Sequence, residues 1–274
     1  MIWCRFDDAG CPRYGLVEND AVIPVSGNPF TSYDPPPTRL PIPSSLAPYT
    51  AEPRRLADVR FLPPVIPGTF FCAGLNYKGH AERAAAGGHA HAVPTRPEIG
   101  YRANSALIGP GDPIVRPSDY DEPLVAEGEL VAVIGRTARY CTREEAKDVV
   151  LGWSIGNDVS ARTWQRTDRT FWRAKNSDTF KPLGPYLVTG ADPLAGTTTL
   201  RVDGTVVASF PTGDMLFDPF DFISAMSRYI TLRPGDVVWM GTDETAAIVP
   251  GQLIEITIDG LGTLANPVIE EKKP

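Results

Sequence analysis

The alternation of apolar and polar residues predicts a strand at residues 125–136, VAEGELVAVIGR, where an apolar run begins with two carboxylates. Side chains of a strand alternate between its faces, so Glu127 and Glu129 point the same way, about 7 Å apart at a rise of about 3.3 Å per residue. The two valines that follow continue this face, and the remaining apolar residues occupy the other. Two like charges beside a buried strand need compensating partners, or one of them must carry a proton.

Other apolar runs predict further strands and a few helices. Helical spacing predicts helices at residues 77–86, 143–150 and 218–230, and Thr142 with Glu145 forms a capping-box signature before the second helix. The predicted strands do not alternate regularly with these helices, which favours a mixed α+β fold with a mostly antiparallel or rolled sheet over a doubly wound one. The strands are predicted at residues 2–6, 14–20, 21–25, 70–74, 129–135, 151–158, 185–189, 199–204, 236–241 and 253–260.

A proline-rich stretch divides the chain. Residues 34–53, DPPPTRLPIPSSLAPYTAEP, predict a linker or an extended arm instead of a helix. We therefore place a small N-terminal β-rich module with this linker at residues 1–62 and a larger domain at residues 63–274. A second stretch, residues 84–98, combines small residues with two glycines and two prolines. It is either a tolerated surface insertion or a lid that closes over a site.

Composition narrows the classes of function. Hydrophobic residues are 42% and charged residues 22% of the 274, a balance typical of a globular core that needs no disulfides. The net charge of −7 without a basic tract argues against a nucleic-acid partner. No run approaches the roughly 20 apolar residues of a membrane span. The four cysteines form no CxxC pair and the N-terminus lacks a signal-peptide pattern, which predicts a cytoplasmic location.

A third carboxylate, Asp158, ends the apolar run at residues 151–158. Glu127, Glu129 and Asp158 offer hard oxygen ligands with no thiolate nearby, a combination that suits Mg²⁺, Mn²⁺ or Ca²⁺. The alternative interpretation is two exposed glutamates before a strand and an aspartate in a turn, and the residues alone do not separate the two. Lys175 is either a surface lysine or, beside a metal-bound anion, a charge that stabilises an enolate.

Several ordered segments resemble the fumarylacetoacetate hydrolase family. They are FFCAGLNYKGHAE, SALIGPGDPIVRP, the long run from AEGELVAVIGR to GWSIGNDVSARTWQ, AKNSDTFKPLGPYLVTG and PGQLIEITIDGLGTLANPV, and they cover about residues 60–270. The resemblance implies a catalytic domain with a mixed β-sandwich roll of the fumarylacetoacetase C-terminal-domain type, after a small N-terminal β module, and usually a homodimer. Members cleave or rearrange 2-oxo and 1,3-dioxo acids by acylpyruvate hydrolysis, oxaloacetate decarboxylation or ene-dioate isomerisation.

The resemblance also implies roles for individual residues. The two glutamates of E-x-E and the aspartate of NDxSAR are the family's ligands for a catalytic Mg²⁺ or Mn²⁺, and they correspond to Glu127, Glu129 and Asp158. A small dicarboxylic or 2-oxo acid would bind this metal, and Lys175 would stabilise the enolate. The remaining implied substrate contacts are Arg162, Gln165, Thr242 in MGTDE, and Arg102, which stands where members often have lysine.

His80 in NYKGHAE is the base that the resemblance implies. In hydrolytic members a glutamate follows this histidine by three positions, whereas here that position is Arg83 and the acid is Glu82, two positions on. Residues two apart on a helix do not face each other. Either the helix starts irregularly or the His–Glu pair is absent. The predicted catalytic residues are His80, Glu82 and Lys175.

The leading prediction is a metal-dependent hydrolase of C–C bonds in small 2-oxo or 1,3-dioxo acids from aromatic-compound catabolism, with His80 activating water. Arg83, Arg102 and the GTDET sequence at 241–245 depart from the patterns of hydrolytic members. These departures keep an ene-dioate isomerase or an oxaloacetate-type decarboxylase close behind. A further alternative is a catalytically silent, metal-binding dimer.

Overall fold

The computed structural model describes residues 1–30, 52–86 and 93–272. Within these ranges two open, mixed sheets and a few short helices make a β-sandwich, which confirms the predicted fold class. The α-helices are α1 Lys78–Ala86, α2 Arg143–Ala146, α3 Arg162–Gln165, α4 Trp172–Asn176 and α5 Pro219–Ser227. The strands are β1 Ile2–Asp8, β2 Cys11–Glu18, β3 Ala21–Pro24, β4 Arg54–Arg55, β5 Phe61–Leu62, β6 Phe70–Ala73, β7 Ile99–Tyr101, β8 Leu107–Ile108, β9 Ile114–Arg116, β10 Leu124–Ile134, β11 Val150–Asn157, β12 Lys181–Val188, β13 Thr197–Val202, β14 Thr205–Pro211, β15 Val237–Trp239, β16 Thr245–Ile248, β17 Leu253–Ile258 and β18 Gly262–Glu270.

The larger sheet contains thirteen strands, with β10 near its middle. Its main path runs β4-β3-β2-β1-β12-β11-β10-β15-β6-β7, and β5, β8 and β16 pair with β1, β12 and β10 outside this path. The smaller sheet has five strands in the order β14-β13-β17-β18-β9. Parallel pairs form only between β12 and β8, β15 and β6, and β18 and β9 of the described strands. The prediction of mostly antiparallel pairing is therefore confirmed.

Strand β10 is buried on both faces, and its alternation decides where each side chain goes. Leu130, Ala132 and Ile134 join a core that includes residues of the smaller sheet. Val131 and Val133 join a second core, together with the tryptophans of β1 and β15. The prediction that these residues occupy opposite faces of one strand is confirmed.

Gly128 lets the two sheets approach each other closely. A Cβ atom at this position would lie 2.9 Å from Ile256 Cγ2 and 2.9 Å from Leu200 Cδ1, both on the smaller sheet. Its neighbours in the strand, Glu127 and Glu129, therefore project from the opposite face. The larger sheet thus packs against its partner with one face of β10 and presents two carboxylates on the other.

The N-terminal strands join the larger sheet directly. Strand β1 pairs with β12 through Ile2 with Val188 and Trp3 with Leu187, and β2, β3 and β4 follow in order. The first residues of the chain therefore extend the sheet that carries the two glutamates. Residues 31–51, with most of the predicted linker, and residues 87–92, within the predicted lid, lie outside the described residues.

The prediction of a helix at residues 143–150 is wrong in its extent. The helix ends at Ala146, because a turn follows and Val150 already begins β11. The capping box of Thr142 and Glu145 is confirmed in both directions. Helices α3 and α4 were not predicted, since four or five residues are too few for a periodic pattern. Among the described residues, no helix combines the length and apolar character needed to cross a membrane.

The strand predicted at residues 129–135 begins too late, whereas the longer prediction at residues 125–136 is confirmed in including both glutamates. Strand β10 begins at Leu124, so both glutamates lie inside it. The first part of β10 is extended because it pairs with β16, through Leu124 with Ile248 and Glu127 with Thr245. Strand β16 itself was not predicted.

Candidate active site

Two neighbouring strands bring the three predicted metal-binding carboxylates together. Glu127 and Glu129 lie in β10, and Asp158 directly follows the antiparallel strand β11. The backbone N–H of Asp158 donates to the carbonyl of Glu127 at 3.0 Å. One carboxylate oxygen of each residue lies within 4.8 Å of the others, and all three side chains are buried. The interpretation as exposed glutamates is therefore wrong, and we call these three residues the carboxylate cluster.

Two cations hold Glu127 in its ionised form. Arg162 Nη2 donates to Oε1, and Lys175 Nζ donates to Oε2 at 2.7 Å. The Ser160 hydroxyl also donates to Oε1, at 3.2 Å. Burial alone would raise the pKa of Glu127, but the charges of Arg162 and Lys175 outweigh burial and lower this pKa to about 2. Glu127 therefore carries a negative charge at neutral pH.

Three cations surround Asp158. Arg102 donates from Nε to Oδ1 at 3.0 Å and from Nη2 to Oδ2 at 2.8 Å. Lys175 Nζ donates to Oδ2 at 2.9 Å and so bridges Asp158 to Glu127. Lys181 Nζ lies 2.7 Å from Oδ1. Burial opposes ionisation here too, but the three cations lower the pKa of Asp158 well below its ordinary value.

Lys181 is a member of the site that the sequence analysis missed. Its side chain is fully buried, and besides Asp158 it donates to the carbonyls of Val159 at 3.0 Å and Phe180 at 2.8 Å. Burial lowers the pKa of Lys181 to about 8. The available signal was a lysine at the start of the apolar run KPLGPYLV, since a charged residue in a buried strand requires a partner. The strand was predicted to begin four residues later, which hid that signal.

Glu129 differs from the other two carboxylates. Its Oε2 accepts the backbone N–H of Gly241 at 2.8 Å, and no cationic side chain among the described residues forms an ion pair with it. Burial and the negative charges of Asp158 and Glu127 raise the pKa of Glu129 to about 8. Without a further cation, this carboxyl holds the proton that two like charges on one strand face require.

The donor set fits a hard divalent cation. The cluster contains carboxylate oxygens only, with neither sulfur nor imidazole, which is the preference of Mg²⁺, Mn²⁺ and Ca²⁺. A metal cation that displaced the proton of Glu129 would become the positively charged partner that this carboxyl lacks. Glu127, Glu129 and Asp158 are therefore the residues that would hold a metal.

The predicted substrate-binding residues adjoin the carboxylate cluster. Arg162 Nη1 donates to Gln165 Oε1 at 2.8 Å, which places both residues of α3 next to the cluster. Thr242 directly follows the backbone N–H that Glu129 accepts, and its hydroxyl donates to a nearby backbone carbonyl at 2.9 Å. Arg102 reaches the cluster through its two hydrogen bonds to the aspartate. The chain therefore presents several positively charged and neutral donors around one acidic centre.

The structure places Glu82 apart from His80. The Glu82 side chain is 58% exposed and lies 3.8 Å from Lys78 Nζ, with no hydrogen bond to His80 among the described contacts. His80 Nδ1 instead lies 3.1 Å from the backbone carbonyl oxygen of Asp243, which Arg83 also contacts. Burial lowers the pKa of His80, so the imidazole is neutral at neutral pH.

Two family models match the chain. The model for the C-terminal domain of fumarylacetoacetate (FAA) hydrolase matches residues 69–269. A second model, described as Rv2993c-like, N-terminal, matches residues 1–64. Together they span nearly the whole chain, including the carboxylate cluster.

Curated relatives match over most of the chain. Protein Rv2993c from Mycobacterium tuberculosis is 41% identical over 223 residues, which cover 80% of this chain and 82% of the relative. The mitochondrial oxaloacetate tautomerase FAHD2A from Bos taurus is 34% identical over 227 residues, covering 78% of this chain and 70% of the relative.

Solved structures share the whole fold. The 5-carboxymethyl-2-hydroxymuconate delta-isomerase from Mycobacterium smegmatis has a TM-score of 0.83 at 35% identity, covering 99% of this chain and 100% of its own. Maleylpyruvate hydrolase from Sphingobium sp. SYK-6, solved with manganese(II) and pyruvate, has a TM-score of 0.77 at 28% identity over the same shares. Since a family model matches most of the chain and relatives above 30% identity span more than two thirds of it, the chain belongs to the fumarylacetoacetate hydrolase family.

Proposed function

We propose that the protein is a divalent-metal-dependent enzyme that moves a proton within small dicarboxylic 2-oxo acids, as a keto–enol tautomerase or an ene-dioate isomerase. The observation that carries this proposal is a neutral His80 that is hydrogen-bonded to a backbone carbonyl and lies near the Glu127 carboxylate. A proton shift needs an acid–base group and a stabilised enolate, but no attacking water. Hydrolysis, the leading prediction from the sequence, takes second place for this reason.

The partner of His80 favours a proton shift over water activation. A base that activates water becomes an imidazolium, and in hydrolytic triads a carboxylate stabilises that charge. The carbonyl of Asp243 orients the ring of His80 but carries no full charge. In a tautomerisation the proton that the ring takes from the substrate returns to the same substrate, so no water has to be positioned and activated. His80 would take and return this proton through Nε2.

The carboxylate cluster would hold the metal. Mg²⁺ is the first choice for three hard oxygen ligands, with Mn²⁺ and Ca²⁺ as alternatives. When bound, the metal supplies Lewis-acid polarisation of the substrate's 2-oxo group. The proposal is supported by the buried Glu129 carboxyl that lacks a cationic partner. It is also supported by the manganese in the related maleylpyruvate hydrolase structure.

The chain's own side chains would bind and polarise the substrate. Lys175 Nζ, between two carboxylates of the cluster, places a compact positive charge where an enolate oxygen would form. Arg162 and Arg102 present forked donors that match carboxylates, which favours a dicarboxylic substrate. Gln165 and Thr242 add neutral hydrogen bonds that fix its orientation.

Cleavage of a C–C bond in an acylpyruvate is the second candidate. It is favoured by the likeness to maleylpyruvate hydrolase over 99% of this chain. A bare Nε2 on His80 would also suit a base that activates water. The predicted catalytic role of Glu82 gains no support from its position beside Lys78. The homodimer and the cytoplasmic location stay predictions from the sequence.

A turnover panel tests the proposal. The purified protein, with Mg²⁺, Mn²⁺ or EDTA, is given the enol form of oxaloacetate, an ene-dioate and an acylpyruvate, each followed by its ultraviolet absorbance. Carbon dioxide release from oxaloacetate is measured in parallel. We expect metal-dependent tautomerisation or isomerisation at a higher kcat/KM than any cleavage. Faster cleavage of the acylpyruvate would assign hydrolysis instead, faster carbon dioxide release would assign decarboxylation, and no turnover would leave the silent metal-binding protein.

A further inference from the structure

Helix α1 meets the turn at residue 243 through two of its side chains. His80 Nδ1 lies 3.1 Å from the carbonyl oxygen of Asp243. Arg83 Nη2 lies 2.9 Å from Asp243 Oδ1 and also donates to the same carbonyl oxygen. His80 and Arg83 are three positions apart, so they lie on one face of the helix. Asp243 therefore contacts both side chains, His80 and Arg83.

Gly79 lets the helix and the turn approach this closely. A Cβ atom at this position would lie 2.7 Å from Asp243 Oδ1 and 3.0 Å from Arg83 Nη1. Any larger residue would displace the carboxylate or the guanidinium. The helix backbone therefore packs against the same carboxylate that Arg83 binds. This close contact requires glycine at position 79.

The hydrogen-bond partner of His80 decides which ring nitrogen carries the proton. A backbone carbonyl only accepts hydrogen bonds, so Nδ1 of the neutral ring must be the donor. Nε2 then keeps its lone pair and is the nitrogen able to accept a proton. A carbonyl that moved away would leave the tautomer and the ring angle unspecified.

We propose that Arg83 and Asp243 form a clamp that positions His80 for proton transfer. Arg83 fixes the carboxylate and the carbonyl of Asp243 together, and that carbonyl fixes the Nδ1–H tautomer of His80. Both are positioning residues, because they act through His80. The opposite charges of Arg83 and Asp243 balance, so the clamp adds no net charge beside the base. This inference rests on the proposed function, in which His80 moves the proton.

A purely structural role is the alternative to this clamp. The Arg83 side chain is 57% exposed, and ion pairs that exposed contribute little to global stability. Arg54 and Asp8 provide a matched pair elsewhere in the molecule, also with an N–O distance of 2.9 Å and with Arg54 51% exposed. If Arg83 only stabilised the local surface structure, its removal would change stability and the His80 tautomer as little as the removal of Arg54.

Nitrogen NMR of the imidazole tests the clamp without any substrate. In a His89→Gln/His91→Gln background His80 is the chain's one histidine, so its signals need no assignment. We expect a protonated Nδ1 and a bare Nε2 in this background and in the Arg54→Ala control. Arg83→Ala should give a mixture of both tautomers at unchanged thermal stability, and Arg83→Lys should restore most of the Nδ1–H form. A bare Nδ1 in the background protein, or an unchanged tautomer in Arg83→Ala, would overturn the proposal.

Kinetics on whichever substrate the turnover panel identifies provide the second measurement. General-base help is worth typically about 10²–10⁴-fold, so misplacing the base should lower kcat by roughly tenfold in Arg83→Ala and in Asp243→Ala. KM should stay within about twofold, and the double variant should lose no more than either single one, because both act on one carbonyl. Losses that multiply in the double variant would contradict the clamp. Since the tautomer is read without substrate, a protein that turns nothing over refutes the proposed function alone.

Discussion

The carboxylate cluster and helix α1 hold their functional groups in opposite ways. In the cluster, Glu127 and Asp158 are buried and bound by cationic side chains that are themselves largely buried. On α1, the imidazole of His80 is bound by the backbone carbonyl of Asp243, and the ion pair of Arg83 with the same aspartate is more than half exposed on its arginine side. The proposed binding of metal and substrate charge thus relies on side chains of the sheet, whereas the proposed proton transfer relies on a peripheral helix. Changes in the first region should alter charge balance and folding as well as turnover, and changes in the second should leave folding unaltered.

The largest effect is expected from Lys175→Met, which removes the cation that bridges Glu127 and Asp158. Loss of a charge beside the forming enolate should lower kcat by about 10²–10³-fold, the usual cost of one oxyanion donor. Metal affinity should not fall, because the lysine competes with a cation for the same oxygens. Steady-state kinetics and calorimetric metal titration measure the two quantities. Lys147→Met, at an exposed lysine paired with Glu144, is the control, and normal turnover by Lys175→Met would remove the lysine from the mechanism.

The next largest effect is a difference in unfolding free energy between variants of Asp158, which is ion-paired, and Glu129, which is protonated. Asp158→Asn leaves the buried Arg102 and Lys181 without a counter-charge, and breaking a buried pair in this way costs about 3–5 kcal/mol of unfolding free energy. Glu129→Gln should cost the apoprotein less than about 1 kcal/mol, because the carboxyl is already protonated and the amide still accepts the Gly241 N–H. Urea denaturation in EDTA compares the two. Equal destabilisation would contradict the distinction between an ion-paired and a protonated carboxyl.

The pH dependence of stability gives a smaller effect that tests the same distinction between an ion-paired and a protonated carboxyl. The folded-state pKa of Glu129 is raised from 4.5 to about 8, so its contribution to apoprotein stability is full below pH 4.5 and is lost as pH rises through 8. His80 has a lowered pKa, and its influence is confined below its ordinary value of 6.5. The lowered pKa of Lys181, about 8, acts in the opposite direction, but it is present in both proteins. Between about pH 6.5 and 8, the stability of the native apoprotein should therefore fall relative to that of Glu129→Gln.

The same proton should leave when metal binds, because a metal ligand must be deprotonated. Calorimetric titration of Mg²⁺ or Mn²⁺ in two buffers of different ionisation enthalpy should give a release approaching one proton per site near neutral pH. Glu129 titrates in this range and the other two carboxylates of the cluster have lowered pKa values. Binding without proton release would mean that Glu129 is already ionised.

The smallest effect is expected from Glu82→Gln on α1. Glu82 lies beside Lys78 at an exposed position, where an ion pair contributes about 0–1 kcal/mol. Turnover should stay within about twofold of the native value, measured with the substrate that the panel identifies. A loss of tenfold or more in Glu82→Gln would show that the helix rearranges to bring this acid to His80, and it would weaken the contrast between the two regions.

Features that depend on residues close together in the sequence could be predicted, and features that depend on distant residues could not. The alternation of Glu127 and Glu129 on one strand face and the capping box of α2 involve neighbours, so their spacing was sufficient. The strand that pairs with the first part of β10 is β16, more than a hundred residues away, and the partner of His80 is 163 residues away. No local pattern contains such information. The family resemblance directed attention to a glutamate near His80, and the partner is instead the carbonyl of Asp243.

Lys181 illustrates a different limit. Its burial could be suspected from the apolar run that follows it, but its role requires knowing that Asp158 directly follows the strand next to its own. Three cations converge on that aspartate from three separate segments. The charge balance of the site therefore depends on the assembled sheet. The local sequence shows only the short pattern of candidate metal ligands.

Gly128 has a consequence for how far strand β10 can vary during evolution or engineering. A slip of one residue in the pairing of β10 with its neighbours would send every side chain to the opposite face. Glu127 and Glu129 would then enter the apolar interface between the sheets, where Leu200 and Ile256 leave no room even for a Cβ atom. The glycine between the two glutamates thus disfavours out-of-register pairing, because any other residue of β10 at its position would bring a Cβ atom against Leu200 and Ile256. Steric exclusion on the far side of the sheet therefore supports the alignment of β10 that assembles the acidic centre.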